Sequence, residues 1–113
     1  MHRYHLIVLT NPVDGREDDY NDWYTNTHLD DVLRVPGIVA AQRFRLAREQ
    51  REGSPGSWSY LAIYHCETDD LQRVIDELKS RSGSVAMPIS DALDDERQIW
   101  FFEPVTALKH RTV

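Results

Sequence analysis

A single cysteine, Cys66, excludes an internal disulfide framework, so the fold has to be held by its core. Long apolar runs are missing as well. Leu6-Ile-Val-Leu9, near the N-terminus, falls well short of a signal-peptide core or a membrane span. Cations are in short supply: 13 Lys and Arg face 19 Asp and Glu, for a formal net charge of −6. With a pI of about 5.2, that balance argues against a nucleic-acid backbone or an anionic membrane as partner. There is no Gly-rich phosphate loop, no paired-cysteine zinc motif and no local Ser-His-Asp signature. His2 and His5 point to opposite faces of a strand and cannot share a metal, so no metal site is expected. A cytoplasmic location is the expectation.

What is present reads as one compact domain over residues 1–113, with 41% hydrophobic and 28% charged residues. The chain is organised around Tyr20 to Gly37. Wound at about 100° per residue, this stretch lines up Tyr24, His28 and Val32 four residues apart, flanked by Tyr20 and Leu29. Asp22, Asn26 and Asp30 fall on the opposite, wet side. Pro36-Gly37 stops the helix. A titratable ring in the middle of an inward face is either a core histidine with a satisfied hydrogen bond or one that lines a cavity.

In order, Tyr4 to Thr10 is apolar at odd and even positions, a central strand covered on both faces. Asn11 to Gly15 breaks it, and Asp14 with Glu17 resembles a capping box for the first helix. Ile38 to Ala47 is a second strand, with Arg43 and Arg45 on one face and Gln42, Phe44 and Leu46 on the other. Arg48 to Ser57 is a polar hairpin loop. The third strand, Trp58 to Cys66, puts Tyr60, Ala62 and Tyr64 on one face and Leu61, Ile63 and His65 on the other. Thr68 is the expected cap of a second helix with an apolar stripe of Leu71, Val74, Ile75 and Leu78. Met87 to Glu96 reads as a loop with one helical turn begun at Ser90, its acidic run solvated. Arg97 to Pro104 is the last strand.

The order β-α-β-β-α-β is that of an α+β, ferredoxin-like sandwich with a four-stranded antiparallel sheet. Two helices cover only one face of such a sheet. Yet Trp100, Phe101 and Phe102 cannot all face one helix layer. The uncovered face predicts a homodimer.

The stretch from Asn21 to Phe44 resembles the dimeric α/β-barrel superfamily. The residues that carry the likeness are Trp23-Tyr24, His28-Leu29, Val32-Leu33, Val35-Pro36-Gly37 and Gln42-Arg43-Phe44. They look most like its EthD-like members, small bacterial proteins. The resemblance implies a dimeric barrel but no single reaction, because the superfamily holds polyketide cyclases, muconolactone-type isomerases, cofactor-free monooxygenases and haem-degrading enzymes. His5-Leu-Ile-Val-Leu9 is also similar to the first strand of plant polyketide cyclases of the olivetolic acid cyclase type. That likeness implies that His5, Ile7 and Leu9 line a pocket opposite Tyr24 and His28, with Tyr60, Ala62 and Tyr64 pointing inward. The His-Pro-x-His segment of those cyclases has no counterpart in Arg81 to Pro88.

The expected function is therefore acid–base chemistry without a metal or organic cofactor, on a small apolar or aromatic ligand such as a polyketide-like carbonyl compound. His28 is the expected base or acid, Tyr24 or Tyr60 the donor to a developing enolate oxygen, and His5 a second proton carrier. Ile7, Leu9, Val32, Ala62, Tyr64 and Ile75 are the expected lining, and Arg43 a partner for a substrate carboxylate or phenolate. Isomerisation, cyclisation and dehydration fit equally. A haem-binding or cofactor-free monooxygenase, and a non-catalytic binding or assembly domain, are the alternatives. Cys66 reads as a small buried filler and Trp23 as packing.

Overall fold

The computed structural model of the protein describes residues 1–112. Strand β1 (His2–Pro12) leads into helix α1 (Glu17–Trp23), a π-helical turn (Tyr24–His28) and helix α2 (Leu29–Leu33). Strands β2 (Ile38–Arg45) and β3 (Tyr60–Thr68), helix α3 (Leu71–Arg81) and strand β4 (Leu93–Phe102) follow. The strands form one antiparallel sheet in the order β2-β3-β1-β4. This is the α+β, ferredoxin-like sandwich that the alternation of elements predicts.

The first helical segment is one continuous rod, because both joins keep helical dihedrals: Tyr24 at φ −64° and ψ −47°, Leu29 at φ −58° and ψ −43°. Glu17, Asp18 and Asp19 occupy its first turn, where the helix dipole favours them. The capping box does not form. Arg16 is the N-cap and has no side-chain cap bond, while the Glu17 carboxylate accepts from the Tyr60 hydroxyl across the core. The rod ends where Pro36-Gly37 requires. Gly37 has φ +102°, and a Cβ there would stand 3.0 Å from Val74 Cγ2, so glycine serves both the turn and the close approach of α3. Helix α3 buries Val74 and is capped by Asp70, which accepts from the Arg73 amide at 3.1 Å. Thr68, the expected cap, instead accepts from the Asp70 amide.

Residues 93–96 depart from expectation. They are strand, not loop, because Leu93 pairs with Pro12 and the Val13 amide donates to Ala92 O at 2.7 Å. The expected helical turn at Ser90 is a single hydrogen-bonded turn that leads directly into β4.

The register decides what each face carries. On β1, Leu6 pairs with Tyr64 and Phe101, and Val8 with Ala62 and Ile99; these side chains share the helix-covered side. His5, Ile7 and Leu9 pair with His65, Ile63 and Leu61 on β3 and with Phe102, Trp100 and Gln98 on β4, on the opposite face. The helices leave that face uncovered, and the tail from Pro104 to Lys109 borders it beside His5, Val39 and His65. Phe102 is 57% exposed, Trp100 44% and Phe44 38%.

Candidate functional site

Between the sheet and the helices lies a cavity of about 480 Å³. Leu6, Val8 and Thr10 of β1, Tyr64 of β3, and Ile99 and Phe101 of β4 form its floor. Trp23, Tyr24, His28 and Val32 of the helical rod form one wall, and Ile75 and Leu78 of α3 face them. Met87 and Ile89 close one end, while Lys79 and Arg97 line it from exposed positions.

The π-helical turn builds the working wall. Trp23 and His28 are five residues apart, a spacing that in an α-helix of 3.6 residues per turn would splay them well apart. The i→i+5 geometry of a π turn brings them onto one side. Their rings stack with centroids 4.6 Å apart and 28° between planes. Tyr24 meets the same imidazole edge-on at 4.9 Å. Trp23 is thus cavity wall rather than plain packing, held by a 3.1 Å bond from its Nε1–H to Pro88 O.

His28 has a buried Nδ1 with no hydrogen-bond partner. It therefore differs from a satisfied core histidine. Burial, with help from the charges of Arg97 and Arg43, lowers its pKa to about 4, so the imidazole is neutral at pH 7. Tyr24 and Tyr64 touch through their hydroxyls, with Tyr64 donating to Tyr24 at 3.4 Å. Burial pushes Tyr24 up to about 12 and Tyr64 well above the ordinary phenol value, so both remain protonated. Because Tyr24 accepts from Tyr64, its own proton has no protein acceptor among the described residues.

Arg43 sits behind this wall, outside the cavity lining. Its guanidinium lies 4.6 Å from the Tyr24 ring centroid, 5.2 Å from Tyr60 and 5.3 Å from Tyr20. It donates to Thr25 Oγ1 at 2.8 Å and Asn21 Oδ1 at 2.9 Å. A cation over the Tyr24 face draws on its electron density and sharpens the phenol as a donor.

The expected residues divide accordingly. Tyr24, His28, Val32, Tyr64 and Ile75 meet at the cavity. Tyr60 and Ala62 are buried beneath it; Asn21 also donates to the Tyr60 hydroxyl, at 3.0 Å. His5, Ile7 and Leu9 lie on the other face of the sheet, and Leu6, Val8 and Thr10 take their place. Both sets are rich in apolar residues, so the run itself does not say which turns inward. Cys66 is buried, and burial pushes its thiol up, as suits a filler. Leu93, Arg97 and Lys79 were not anticipated. The alternation of Arg97, Ile99 and Phe101 along β4 is the one local signal that could have placed Arg97. Among the described residues no cluster of His, Cys, Asp and Glu could hold a metal, and no helix is long and apolar enough to cross a membrane.

No family model matches the chain. It is 36% identical over 64 residues to core atranone cluster protein 1 of Stachybotrys chlorohalonatus, and spans about a quarter (25%) of that relative's length. Among solved structures, an EthD-like protein of Ralstonia eutropha JMP134 superposes with a TM-score of 0.69 at 12% identity, covering 98% of this chain and 99% of the other. A candidate monooxygenase of Shewanella loihica PV-4 gives 0.62 at 11% identity, covering 94% and 97%. A MhuD variant with two manganese protoporphyrin IX bound per active site gives 0.63 at 15% identity, covering 95% and 99%. The chain has the ferredoxin-like fold that these EthD-like proteins and monooxygenases share.

Proposed function

We propose that the protein binds a small aromatic or polyketide-like carbonyl compound in this cavity and acts on it by proton transfer, as an isomerase, cyclase or dehydratase. One observation carries the reading: a phenol proton without an acceptor and an imidazole whose Nδ1 has no partner share an otherwise apolar wall. Tyr24 donates to the carbonyl oxygen and strengthens that bond as enolate charge develops. Tyr64 supports it by donating to Tyr24, and Arg43 by polarising the ring. His28, neutral at pH 7, takes the proton from the carbon beside the carbonyl. Its low basicity means that the step depends on the Tyr24 bond to stabilise the enolate as the imidazolium forms. His5 and Tyr60 have no part in this scheme, since neither reaches the cavity.

The test is deuterium exchange of the methyl protons of 2-acetylnaphthalene in heavy water, followed by NMR. Exchange above the buffer rate, lost in Tyr24→Phe and His28→Ala, is the expected result. Binding with no exchange would make the protein a non-catalytic binding domain.

One observation favours a second reading, haem binding: His28 is held in the neutral state in which an imidazole ligates a metal. His28 would be the ligand, and haem would supply redox chemistry. Haemin titration would then give a Soret band that His28→Ala abolishes.

The open sheet face completes the proposal. Ile7, Leu9, Leu61, Ile63, Trp100 and Phe102 form an apolar surface, and a second copy of the chain is the simplest cover for it.

A further inference from the structure

The cavity's charges are opposite in sign to those of the molecule around it. The chain carries 19 Asp and Glu against 13 Lys and Arg. The cavity lining, however, includes Lys79 and Arg97 and not one carboxylate. Neither cation has an ion-pair partner among the described residues, a state they share with other cations such as Arg45 and Arg73, but of the lysines and arginines these two alone line the cavity. Arg97 also has a defined direction. It stands opposite Thr10 in the β1–β4 ladder, on the side of Val8, Ile99 and Phe101, and so belongs to the cavity side of the sheet. Lys79 comes from the last turn of α3, on the other side of the same space.

We infer that the cavity selects an anionic ligand, an apolar aromatic body carrying a carboxylate or an equally acidic group that Arg97 and Lys79 receive. This rests on the reading of the cavity as a ligand site and narrows its substrate class. An apolar lining attracts the body of the ligand but cannot distinguish charge. Two unpaired cations at its edge can, because a charge-assisted bond beside a low-dielectric wall is stronger than one in water. Arg97 is also felt deeper in: its charge helps lower the His28 pKa and acts on Tyr24. A carboxylate seated on Arg97 would cancel that field, so an anion both fits the site and makes His28 a better base once bound.

The test compares 2-naphthoate with its methyl ester, probes of the same shape that differ in charge, by calorimetric titration of the full chain at low and high salt. Naphthoate should bind at least about tenfold more tightly than the ester, with the advantage shrinking as salt rises. In Arg97→Gln, and more fully in Arg97→Gln with Lys79→Gln, naphthoate affinity should fall to that of the ester. Both positions are exposed, so circular dichroism melting should show the variants folded. An ester that binds wild type as tightly as naphthoate would overturn the inference and leave the proposed function standing. So would an advantage that survives the double substitution. If neither probe binds, the cavity is not an aromatic-ligand site and both readings fall together.

Discussion

The two faces of the sheet are built from the same strands with nearly the same apolar content, yet they do different things. On one, Leu6 and Tyr64 are buried under helices and floor a cavity with a phenol, an imidazole and two cations along its walls. On the other, Trp100 and Phe102 are exposed beside half-buried Ile7 and Ile63, and His5 and His65 are in edge contact at 4.8 Å. Chemistry concentrates on the covered side because only there can burial move a pKa and strengthen a hydrogen bond. The open side has area and little else, which is what association requires.

The sharpest way to break the contrast is to charge the open face. Wild type should elute with a light-scattering mass of about twice the 13.2 kDa of the chain. Trp100→Glu should return a monomer, since an unpaired carboxylate in an apolar interface costs several kcal/mol. A wild-type monomer at micromolar concentration would refute the open face as an interface.

Acid should separate the two faces next. His28 has a folded pKa of about 4, below the ordinary value of 6.5. The unfolded chain therefore binds a proton between those values while the folded chain does not, and stability is lost as pH falls through that window. The full shift corresponds to on the order of 3–4 kcal/mol. His28→Ala should remove this acid sensitivity, and at pH 7 it should cost only about 1 kcal/mol or less, because it enlarges a space that already exists. Denaturant melts of both proteins at pH 7 and pH 4.5 measure it. A loss of more than about 2 kcal/mol at pH 7 would identify His28 as a packing residue.

The smallest effect is at the hinge between helix and sheet. Gly37→Val forces a side chain onto a residue at φ +102°, with its Cβ 3.0 Å from Val74, and should cost roughly 1–3 kcal/mol. An unchanged melting temperature would mean that β2 and α3 shift freely at that turn.

Much of the architecture could be read without coordinates. The stop at Pro36-Gly37, the inward Tyr60, Ala62 and Tyr64, and the stripe of Val74, Ile75 and Leu78 follow from local rules of period and turn chemistry. Trp100 and Phe102 on one side and Phe101 on the other follow from strand alternation.

What local rules could not decide was any choice between near-equal alternatives. Strand β1 is apolar on both faces, so a one-residue choice of side exchanged Leu6, Val8 and Thr10 for His5, Ile7 and Leu9. Only pairing with Tyr64 and Phe101 breaks that tie. The π turn that stacks His28 on Trp23 inserts no unusual residue, so the spacing of the sequence does not mark it. Arg43, Arg97 and Lys79 are ordinary surface cations by composition. The sequence by itself determined the order of the elements, the helix stop and the alternation of the strands, because those depend on neighbours along the chain. Tertiary structure decided which face became the floor of a cavity and which cations reach it, because those depend on residues brought together from distant strands and helices.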